Sequence, residues 1–480
     1  MSATDTNVPP GAAQPAESTD VITHALARLA VETRAEEIPT AARAAARMAM
    51  LDALGCAAAG HDAPGVGEVT DLALYWGGRE ESRIWFRNRK VPSPAAAFVN
   101  SVQLHALDFD DYHPPSDAHV TSALVPAVLA VGEAVTAPGR DVLAALVVGC
   151  EVVGRMGRVC MARRVHKGFL PASVIGGFGA VAAACRLLGC SVAETAAALG
   201  IWYADASGNR QALFDRTLTK RIQPGIAARG GVVAAHLARA GITGPHRIVG
   251  GAEASLTRLY GYDREPSPTV DDVMAPRTQW AVQELNYKTF ACCGVSVPAM
   301  LAAISLAEEH GLVPEQVAEV RVFGPCVESP FGNAAWTDHP TPQVLAQFCV
   351  PYAVASAIRN RRFGPEEIAP ARIAADHEVD ALARRIRLCQ PEQGRQCGND
   401  TTVEVVLRDG RRLKASSLPG GRCLTTPADD ERIIDKFKRN VEFSGLVDAA
   451  AVDGLVEAIL DLESCGNIID FTASRYLVGR

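Results

Sequence analysis

The chain has 480 residues, of which 48% are hydrophobic and 21% charged; this composition supports a large buried core and excludes a disordered protein. Its formal net charge of −7, with 47 Lys and Arg against 54 Asp and Glu, and its 6% aromatic content argue against a nucleic-acid-binding protein. Its apolar stretches are interrupted well before the length of about 18 residues that a membrane span needs, so no membrane partner is expected.

The N-terminal segment and the cysteines bear on where the protein works. Residues 1–20 hold no Lys or Arg and no apolar run, which predicts a disordered tail rather than a signal or transit peptide. The thirteen cysteines lack the paired spacing of a disulfide framework or of a metal site built on cysteine. We therefore expect a cytoplasmic protein with reduced thiols. The slightly positive mean hydropathy of +0.08 favours a homo-oligomer that covers apolar surface.

Residues 21–267 are rich in Ala, and their apolar residues recur at the three- and four-residue spacing of helices. Gly and Pro interrupt this pattern at intervals, as expected for helices joined by short loops. The segment predicts a large all-helical domain. Its glycine-containing stretch GGFGAVAAA, residues 176–184, does not follow a predicted strand, so helix packing is favoured there over phosphate binding.

Residues 268–420 are predicted to form a smaller α+β domain that begins with a Pro-rich linker. A helix is predicted at 297–310. Alternating apolar and polar residues predict strands at 317–324 and within 401–417, and the second segment contains an Asp-Gly pair typical of a hairpin turn.

Residues 421–480 are predicted to be helical again. Pro427 and the acidic run that follows it suit a helix N-terminus, where a missing N–H is tolerated and carboxylates are favoured. These C-terminal helices are predicted to return to the helical domain. The chain as a whole is therefore predicted to be mainly α.

A polar segment, HALDFDDYHPPSDAH, lies between apolar helical segments at residues 105–119. Polar groups in such a place must face a cavity or hydrogen-bond to one another. Three interpretations are open: a divalent metal site, an acid–base site in which an aspartate orients a histidine, or a solvated loop with an aspartate capping the next helix. Its titratable residues include Asp108, Asp110, Asp111, His105, His113 and His119.

Three further candidates lie elsewhere in the chain. Lys220 and Arg221 precede a Gly- and Ala-rich helix, where cations favour a bound carboxylate, although Lys220 could equally be exposed. Lys288 lies in the nearly uncharged stretch NYKTFACC, where a lysine either extends to solvent or has a function. Tyr352 lies in an apolar helical run and is more often plain core than chemistry.

The order and surroundings of these segments resemble the MmgE/PrpD family, which includes 2-methylcitrate dehydratase, cis-aconitate decarboxylase and iminodisuccinate epimerase. The resemblance extends over residues 23–435, and its most specific segments are AAFVNSVQLHALDFDDYH, GFLPASVIGGFGAVAAACRLLG, KRIQPGIAARGGVVAAHLARAGITGP and NYKTFACC. It implies a helical domain completed by the C-terminal helices, a smaller α+β lid, a homodimer and an active site between the domains. It also implies that neither a metal nor an organic cofactor is needed.

The resemblance also assigns catalytic positions. Asp108 matches the first aspartate of the family's DFDD motif, and His119 matches the histidine that follows it, one residue further on than usual. The other matched positions are the lysine before the glycine-rich helix, the lysine that opens the lid and a tyrosine in a later helix: Lys220, Lys288 and Tyr352.

The sequence departs from the family at residues that shape the pocket. Leu170 stands where family decarboxylases and many dehydratases have the histidine of GFH, Cys293 where the lid often supplies another histidine, and Tyr112 where decarboxylases have threonine. Gln223 is a further expected pocket residue. Leu170 and Cys293 predict a less polar face, and therefore a substrate with fewer carboxylates or with an apolar substituent.

The implied substrates are small di- or tricarboxylates. Removing a proton beside a carboxylate forms an enolate-like anion, so cations and a base are needed around it. We expect Lys220, Lys288 and Arg221 to bind this charge and His119, oriented by Asp108, to transfer the proton, with Tyr352 or Lys288 as the partner on the opposite face. A hydro-lyase of the 2-methylcitrate dehydratase type is the first expectation. The alternatives are an epimerase, a decarboxylase or a catalytically silent binding subunit, and the retained lysines and histidine argue against the last.

Overall fold

The structure, a computed structural model, describes residues 21–160, 168–250, 252–260, 267–390, 400–417, 424–473 and 477. The predicted N-terminal tail lies outside these residues. In the described part of the chain, no helix combines the length and the apolar character that crossing a membrane requires.

The first part of the chain is helical. Its central helix α2 has 21 residues and is largely alanine, the strongest helix former, and most of its side chains are buried. A short antiparallel hairpin of β1 and β2, which the sequence did not predict, separates α3 from α4. The elements are α1 (Ile22–Glu32), α2 (Thr40–Gly60), α3 (Val66–Trp76), β1 (Ser82–Ile84), β2 (Arg89–Val91), α4 (Ser93–His105), α5 (Thr121–Ala134) and α6 (Gly139–Cys160).

The next helices pack with these and complete the first helical layer. The longest of them, α11, packs against α4, α8 and α9, and its small residues allow the close approach: a Cβ added at Gly231 would lie 2.6 Å from the Ala180 side chain. The helices are α7 (Pro171–Val174), α8 (Gly176–Leu187), α9 (Val192–Asp205), α10 (Gln211–Phe214), α11 (Thr219–Arg239), α12 (Leu256–Leu259) and α13 (Val270–Met274).

The later part of the chain contains a four-stranded sheet in the order β5-β4-β6-β7, with β4 and β5 parallel and the other pairs antiparallel. The predicted helix at 297–310 and the predicted hairpin are confirmed, and Gly410 takes the left-handed φ of +91° that its turn requires. The elements are β3 (Asn286–Tyr287), α14 (Val297–His310), β4 (Val317–Phe323), α15 (Pro325–Glu328), α16 (Pro342–Gln347), α17 (Val350–Asn360), α18 (Pro370–Ala375), α19 (His377–Ala383), β5 (Ile386–Leu388), β6 (Thr401–Leu407) and β7 (Arg412–Ser417).

The C-terminal elements begin with a strand that pairs with β3. The helix after it, α20, packs on α2 so closely that a Cβ added at Gly55 would lie 2.9 Å from Cδ2 of Phe437. The C-terminal segment therefore contacts the first helical layer. The elements are β8 (Leu424–Thr425), α20 (Asp430–Ser444), α21 (Val452–Leu460) and α22 (Ile468–Thr472).

Candidate active site

The candidate site is built on the loop between α4 and α5. Both helices are almost completely buried, so the loop that joins them starts and ends in rigid structure. The carboxylate of Asp111 accepts hydrogen bonds from the backbone N–H groups of Val120 at 3.0 Å and Thr121 at 2.9 Å, and thereby holds the start of α5. His119 lies directly before this anchored turn.

Asp108 lies at the centre of the loop, with its carboxylate between two ammonium groups. Lys288 Nζ lies 2.8 Å from Asp108 Oδ2 and also donates to the Asp108 backbone carbonyl at 2.9 Å, while Lys220 pairs with Oδ1. Asp108 has a left-handed φ of +52°, which is uncommon for a residue with a side chain. Two lysines 68 positions apart in the sequence therefore converge on one aspartate.

His105 and Asp110 join Asp108, Lys220 and Lys288 in one buried cluster. His105 Nδ1 lies 2.8 Å from Asp110 Oδ2, and His105 Nε2 lies 2.8 Å from Lys220 Nζ. Because an ammonium group only donates, Nε2 must accept and the ring proton lies on Nδ1, facing Asp110. Burial lowers the pKa of His105 to about 4, so the imidazole is neutral at ordinary pH.

His119 is the part of the cluster that is most accessible to solvent. Its side chain is 17% exposed, against 3% for Asp108. Its Nε2 lies 3.8 Å from Asp108 Oδ1, and its Nδ1 lies 3.3 Å from Asp110 Oδ2 without a hydrogen bond of good geometry. The structure therefore brings His119, Lys220 and Lys288 together around Asp108, as the sequence predicted.

Burial and charge act in opposite directions on this cluster. Burial alone would raise the pKa of Asp108, but the ammonium groups of Lys220 and Lys288 outweigh it and hold that pKa well below its usual range. Burial opposes the charge of Lys288 too, yet Asp108 and Asp110 raise its pKa above the ordinary value. Burial and the neighbouring Lys288 charge lower the pKa of Lys220. Lys288 is thus firmly charged, while Lys220 is the lysine that releases a proton more easily.

His105, Asp110 and His119 are the residues of the cluster that could bind a metal ion. One donor atom from each of these residues lies within 4.8 Å of the others, a grouping that can hold a divalent cation. The Lys220 ammonium already lies 2.8 Å from His105 Nε2, and its positive charge opposes a second cation there. A cation bound by these three donors would therefore lie beside an existing positive charge.

An apolar wall borders Lys220 on another side. Its members are buried or half-buried, and one of them, Phe348, lies next to the ammonium, with its ring centre 5.4 Å from Lys220 Nζ. Leu170 and Cys293, predicted to be pocket residues, belong to it, and burial raises the pKa of the Cys293 thiol. The apolar wall consists of Leu170, Leu213, Val344 and Phe348, with Leu218, Cys293 and Phe331 packed against them.

Of the other predicted pocket residues, Tyr112 lies close to His119, and Gln223 holds a neighbouring backbone turn. The Tyr112 ring centre lies 6.2 Å from that of His119, and its hydroxyl donates to Asp117 at 2.7 Å. The Gln223 side chain instead holds a backbone turn, because Oε1 accepts from Asn209 N at 2.7 Å and Nε2 donates to Asn209 O at 3.0 Å. Gln223 therefore shapes the loop beside Leu170 rather than presenting a free amide.

Arg221 and Tyr352 both donate hydrogen bonds to neutral oxygens of the protein. The Arg221 guanidinium donates to the Pro64 carbonyl at 2.8 Å and to Gln343 Oε1 at 3.2 Å, so it is held by neutral oxygens. The Tyr352 hydroxyl donates to the Glu367 carbonyl at 2.9 Å, and its ring packs on Trp336. The Tyr352 hydroxyl thus has a backbone partner, and its expected role as the partner of His119 on the opposite face of the substrate stays a prediction.

Sequence reasoning named His105, Asp110 and Asp111 within the polar segment but did not select them as site residues. The sequence did contain a signal for the contact between His105 and Asp110. A histidine at the end of a helix and an aspartate five residues later can meet when the chain turns sharply between them. Phe348 had no such signal, since it lies 128 positions after the lysine that it contacts.

Comparison with known proteins adds to this geometry. The MmgE/PrpD N-terminal domain matches residues 24–266, and the MmgE/PrpD C-terminal domain matches residues 290–462. The chain is 25% identical to a cis-aconitate decarboxylase of Aspergillus terreus, over 93% of this chain and 94% of the relative. It is 24% identical to the cis-aconitate decarboxylase-like protein oryM of Aspergillus oryzae, over 94% and 96%, and 26% identical to the cis-aconitate decarboxylase of Mus musculus, over 87% and 86%.

Proposed function

Because the chain belongs to the MmgE/PrpD family, whose two domains together match most of its length, we propose that it is a lyase that transfers a proton at the carbon beside a carboxylate of a small di- or tricarboxylate. The observation that carries this proposal is the convergence of Lys220, Lys288 and His119 around Asp108. Among the groups that this chemistry requires, His119 would supply the base, and Lys220 and Lys288 the cations.

The charges around the cluster favour an anionic substrate. The two ammonium groups of Lys220 and Lys288 are balanced by the carboxylates of Asp108 and Asp110. Arg221 adds a buried positive charge whose hydrogen-bond partners are neutral oxygens, and burial lowers its pKa only to about 10. Lys220, Lys288 and Arg221 together offset the carboxylates of Asp108, Asp110 and Asp111, and the two ammonium groups on Asp108 are the donors that a substrate carboxylate beside His119 would meet.

The proposed mechanism begins with a substrate carboxylate beside the two ammonium groups. His119 removes the proton from the adjacent carbon through Nε2, since its Nδ1 is buried 3.3 Å from Asp110 Oδ2 while the side chain as a whole is partly exposed. Negative charge then develops on the carboxylate oxygens, where the Lys288 ammonium, whose pKa is raised, stabilises it. Asp108 holds both lysines in position throughout.

Elimination of water is our first proposal for the bond that breaks. It requires an acid at the leaving hydroxyl in addition to the base at carbon. Lys220 is suited to that role because burial lowers its pKa and His105 accepts one of its protons in a hydrogen bond. Epimerisation is disfavoured, because it needs a second base and both residues expected to supply it are engaged: the Tyr352 hydroxyl donates to the Glu367 carbonyl, and Asp108 keeps Lys288 charged.

Decarboxylation is the second candidate, and two observations favour it. Several relatives that match nearly the whole chain are named cis-aconitate decarboxylases. The apolar wall beside Lys220 would also remove water from a carboxylate placed against it, which favours loss of carbon dioxide.

A panel assay tests the proposal and separates the two reactions. Purified protein is incubated with 2-methylcitrate, cis-aconitate, iminodisuccinate and simpler dicarboxylates, in buffer with and without EDTA, and the products are identified by NMR. We expect turnover of at least one acid by the wild type, equal rates with EDTA, and strong loss in His119→Ala and Lys220→Ala. Binding without turnover by the wild type would instead support a silent binding subunit.

A homodimer is also part of the proposal. One face of α11 exposes Val233 and Leu237, which follow Arg229 at successive helical turns, and the Arg229 guanidinium lies 6.0 Å from the half-exposed Trp76 ring. We propose that a second copy of the chain covers this surface. Analytical ultracentrifugation should show a dimer that Leu237→Asp weakens, and a wild-type monomer at micromolar concentration would contradict it.

A further inference from the structure

We propose that Lys436, on the C-terminal helix α20, is a positioning residue for the Asp108 loop. The proposal rests on the proposed function only in that this loop carries the chemistry. The observation is a third buried lysine, which binds the loop directly after Asp108, in addition to the two lysines that bind Asp108 itself.

Lys436 contacts one residue of the loop in two ways. Its Nζ donates to the Phe109 carbonyl at 2.6 Å and lies 4.0 Å from the centre of the Phe109 ring. Phe109 is the residue between Asp108 and Asp110, so both its peptide groups belong to the cluster's backbone. A rotation of this peptide unit would move Asp108 or Asp110, and the lysine opposes that rotation.

The position of the Lys436 ammonium is itself fixed by two packed helices. Asp52, on α2, pairs with Nζ at 2.6 Å, and both side chains are no more than 3% exposed. One helical turn further along α20, Asn440 contacts Cys56 of α2, with 3.9 Å between Nδ2 and Sγ. Since the backbones of α2 and α20 also approach closely at Gly55, the lysine cannot shift without moving α20.

The loop needs such support because packing alone does not define it. Asp108 has a left-handed conformation, which persists only where the surroundings hold it. Phe109 and Lys436 both line one side of a cavity of about 610 Å³. Three side chains distant in sequence each hold one carbonyl of the loop: Gln347 at Ala106, Lys288 at Asp108 and Lys436 at Phe109.

A merely structural ion pair would predict a different outcome from a positioning residue. If Lys436 only held α20 in place, its loss would lower stability and leave the folded protein fully active. If it positions the loop, a folded variant without it keeps its affinity for substrate but reacts more slowly, because the groups that act in the transition state are displaced.

The test uses a double variant, Asp52→Leu with Lys436→Met. Removing both charges together avoids an unpaired buried carboxylate, and apolar side chains of similar size often keep such a core folded. We expect kcat to fall by about 10- to 100-fold with KM changed less than about 3-fold. Lys438→Met is the matched control, because Lys438 lies on the same helix and pairs with the exposed Asp453 at 2.6 Å; it should keep wild-type kinetics.

A second readout does not depend on turnover. In spectra of protein labelled with ¹⁵N-histidine, the double variant should shift the imidazole resonances of His105 and His119, and Lys438→Met should not. If the wild type converts no carboxylate, the proposed function fails while this readout still tests the positioning role. A wild-type kcat or unshifted histidine resonances in the folded double variant would overturn the positioning role of Lys436. If the double variant does not fold, Lys436→Gln replaces it, with a loss of about 10-fold expected and wild-type kcat as the contradicting result.

Discussion

Two buried lysine–aspartate arrangements meet at one loop, and they differ in what else surrounds the carboxylate. Asp108 lies between two ammonium groups and 3.8 Å from the partly exposed His119, whereas Asp52 pairs with the single ammonium of Lys436 within a helix–helix contact. The first arrangement combines two ammonium groups on one carboxylate with an imidazole that is partly accessible to solvent. In the second, the Cys56 thiol contacts the Asp52 carboxylate and the Phe109 carbonyl accepts from Lys436. Burial of a charge pair is common to both, so it is the additional groups that distinguish chemistry from support.

The largest expected effect comes from removing a cation from the Asp108 arrangement. Lys288→Met should lower kcat/KM by about 10³-fold, because a charge-stabilising donor is lost where the anion forms. The measurement is steady-state kinetics on the best acid of the panel. A loss no greater than that of the Asp52→Leu, Lys436→Met double variant would show that the two arrangements do not differ in kind.

Removing the imidazole should have the next largest effect. His119→Asn keeps a polar side chain but cannot exchange a proton, so kcat should fall by about 10²- to 10⁴-fold. His310→Asn, at a half-exposed histidine at the end of α14, is the control and should remain active. Equal kinetics of His119→Asn and wild type would remove His119 from the mechanism and would make the two arrangements more alike.

The pH dependence of the free energy of unfolding should separate the contributions of Asp111 and His105. Burial and the Asp110 charge raise the pKa of Asp111 from 3.8 to about 6, so its contribution to stability falls as pH rises from about 4 to 6. Burial lowers the pKa of His105 from 6.5 to about 4, so its contribution is lost as pH falls through the same window. The contribution of each residue to the free energy of unfolding is roughly 3 kcal/mol, because one pKa unit corresponds to about 1.4 kcal/mol.

Denaturant unfolding at pH 4 and pH 6.5 measures these two contributions. Relative to wild type, Asp111→Asn should gain stability as pH rises, and His105→Asn should gain stability as pH falls. Changes of the same sign in both variants would contradict the assignment of a neutral His105 bound to Asp110.

The smallest expected effect concerns the apolar wall beside Lys220. Leu170→His should lower kcat/KM for acids with an apolar substituent relative to tricarboxylates by about 10-fold, because a hydrophobic contact of this size is worth about 1–3 kcal/mol. Cys389→His, at a half-exposed thiol outside the wall, is the control. If the wild type already prefers tricarboxylates over every dicarboxylate analogue, the predicted substrate class is wrong.

Local patterns were enough to predict much of the fold. The helix at 297–310 and the Asp409–Gly410 hairpin follow from apolar periodicity and turn chemistry, which act within a few residues. The β1–β2 hairpin was missed because each of its strands has three residues, too few to show alternation.

The site was predicted in part, for a physical reason. Lys220, Lys288 and His119 are charged or titratable groups in apolar surroundings, and such groups stand out in a sequence. Phe348 is one apolar residue among many, so its contact with Lys220 is visible only in three dimensions. Lys436 did carry a signal, because helical spacing places it on the same face as Ile433 and Asn440, both buried.

The most direct test of the central claim is exchange of solvent deuterium into substrate. Wild-type protein in deuterium oxide, given 2-methylcitrate, cis-aconitate or a simple dicarboxylate, should introduce deuterium at a carbon beside a carboxylate in recovered substrate or product. Lys288→Met and His119→Asn should do so at least about 100-fold more slowly. Equal exchange by wild type and both variants would contradict a proton transfer that depends on this cluster.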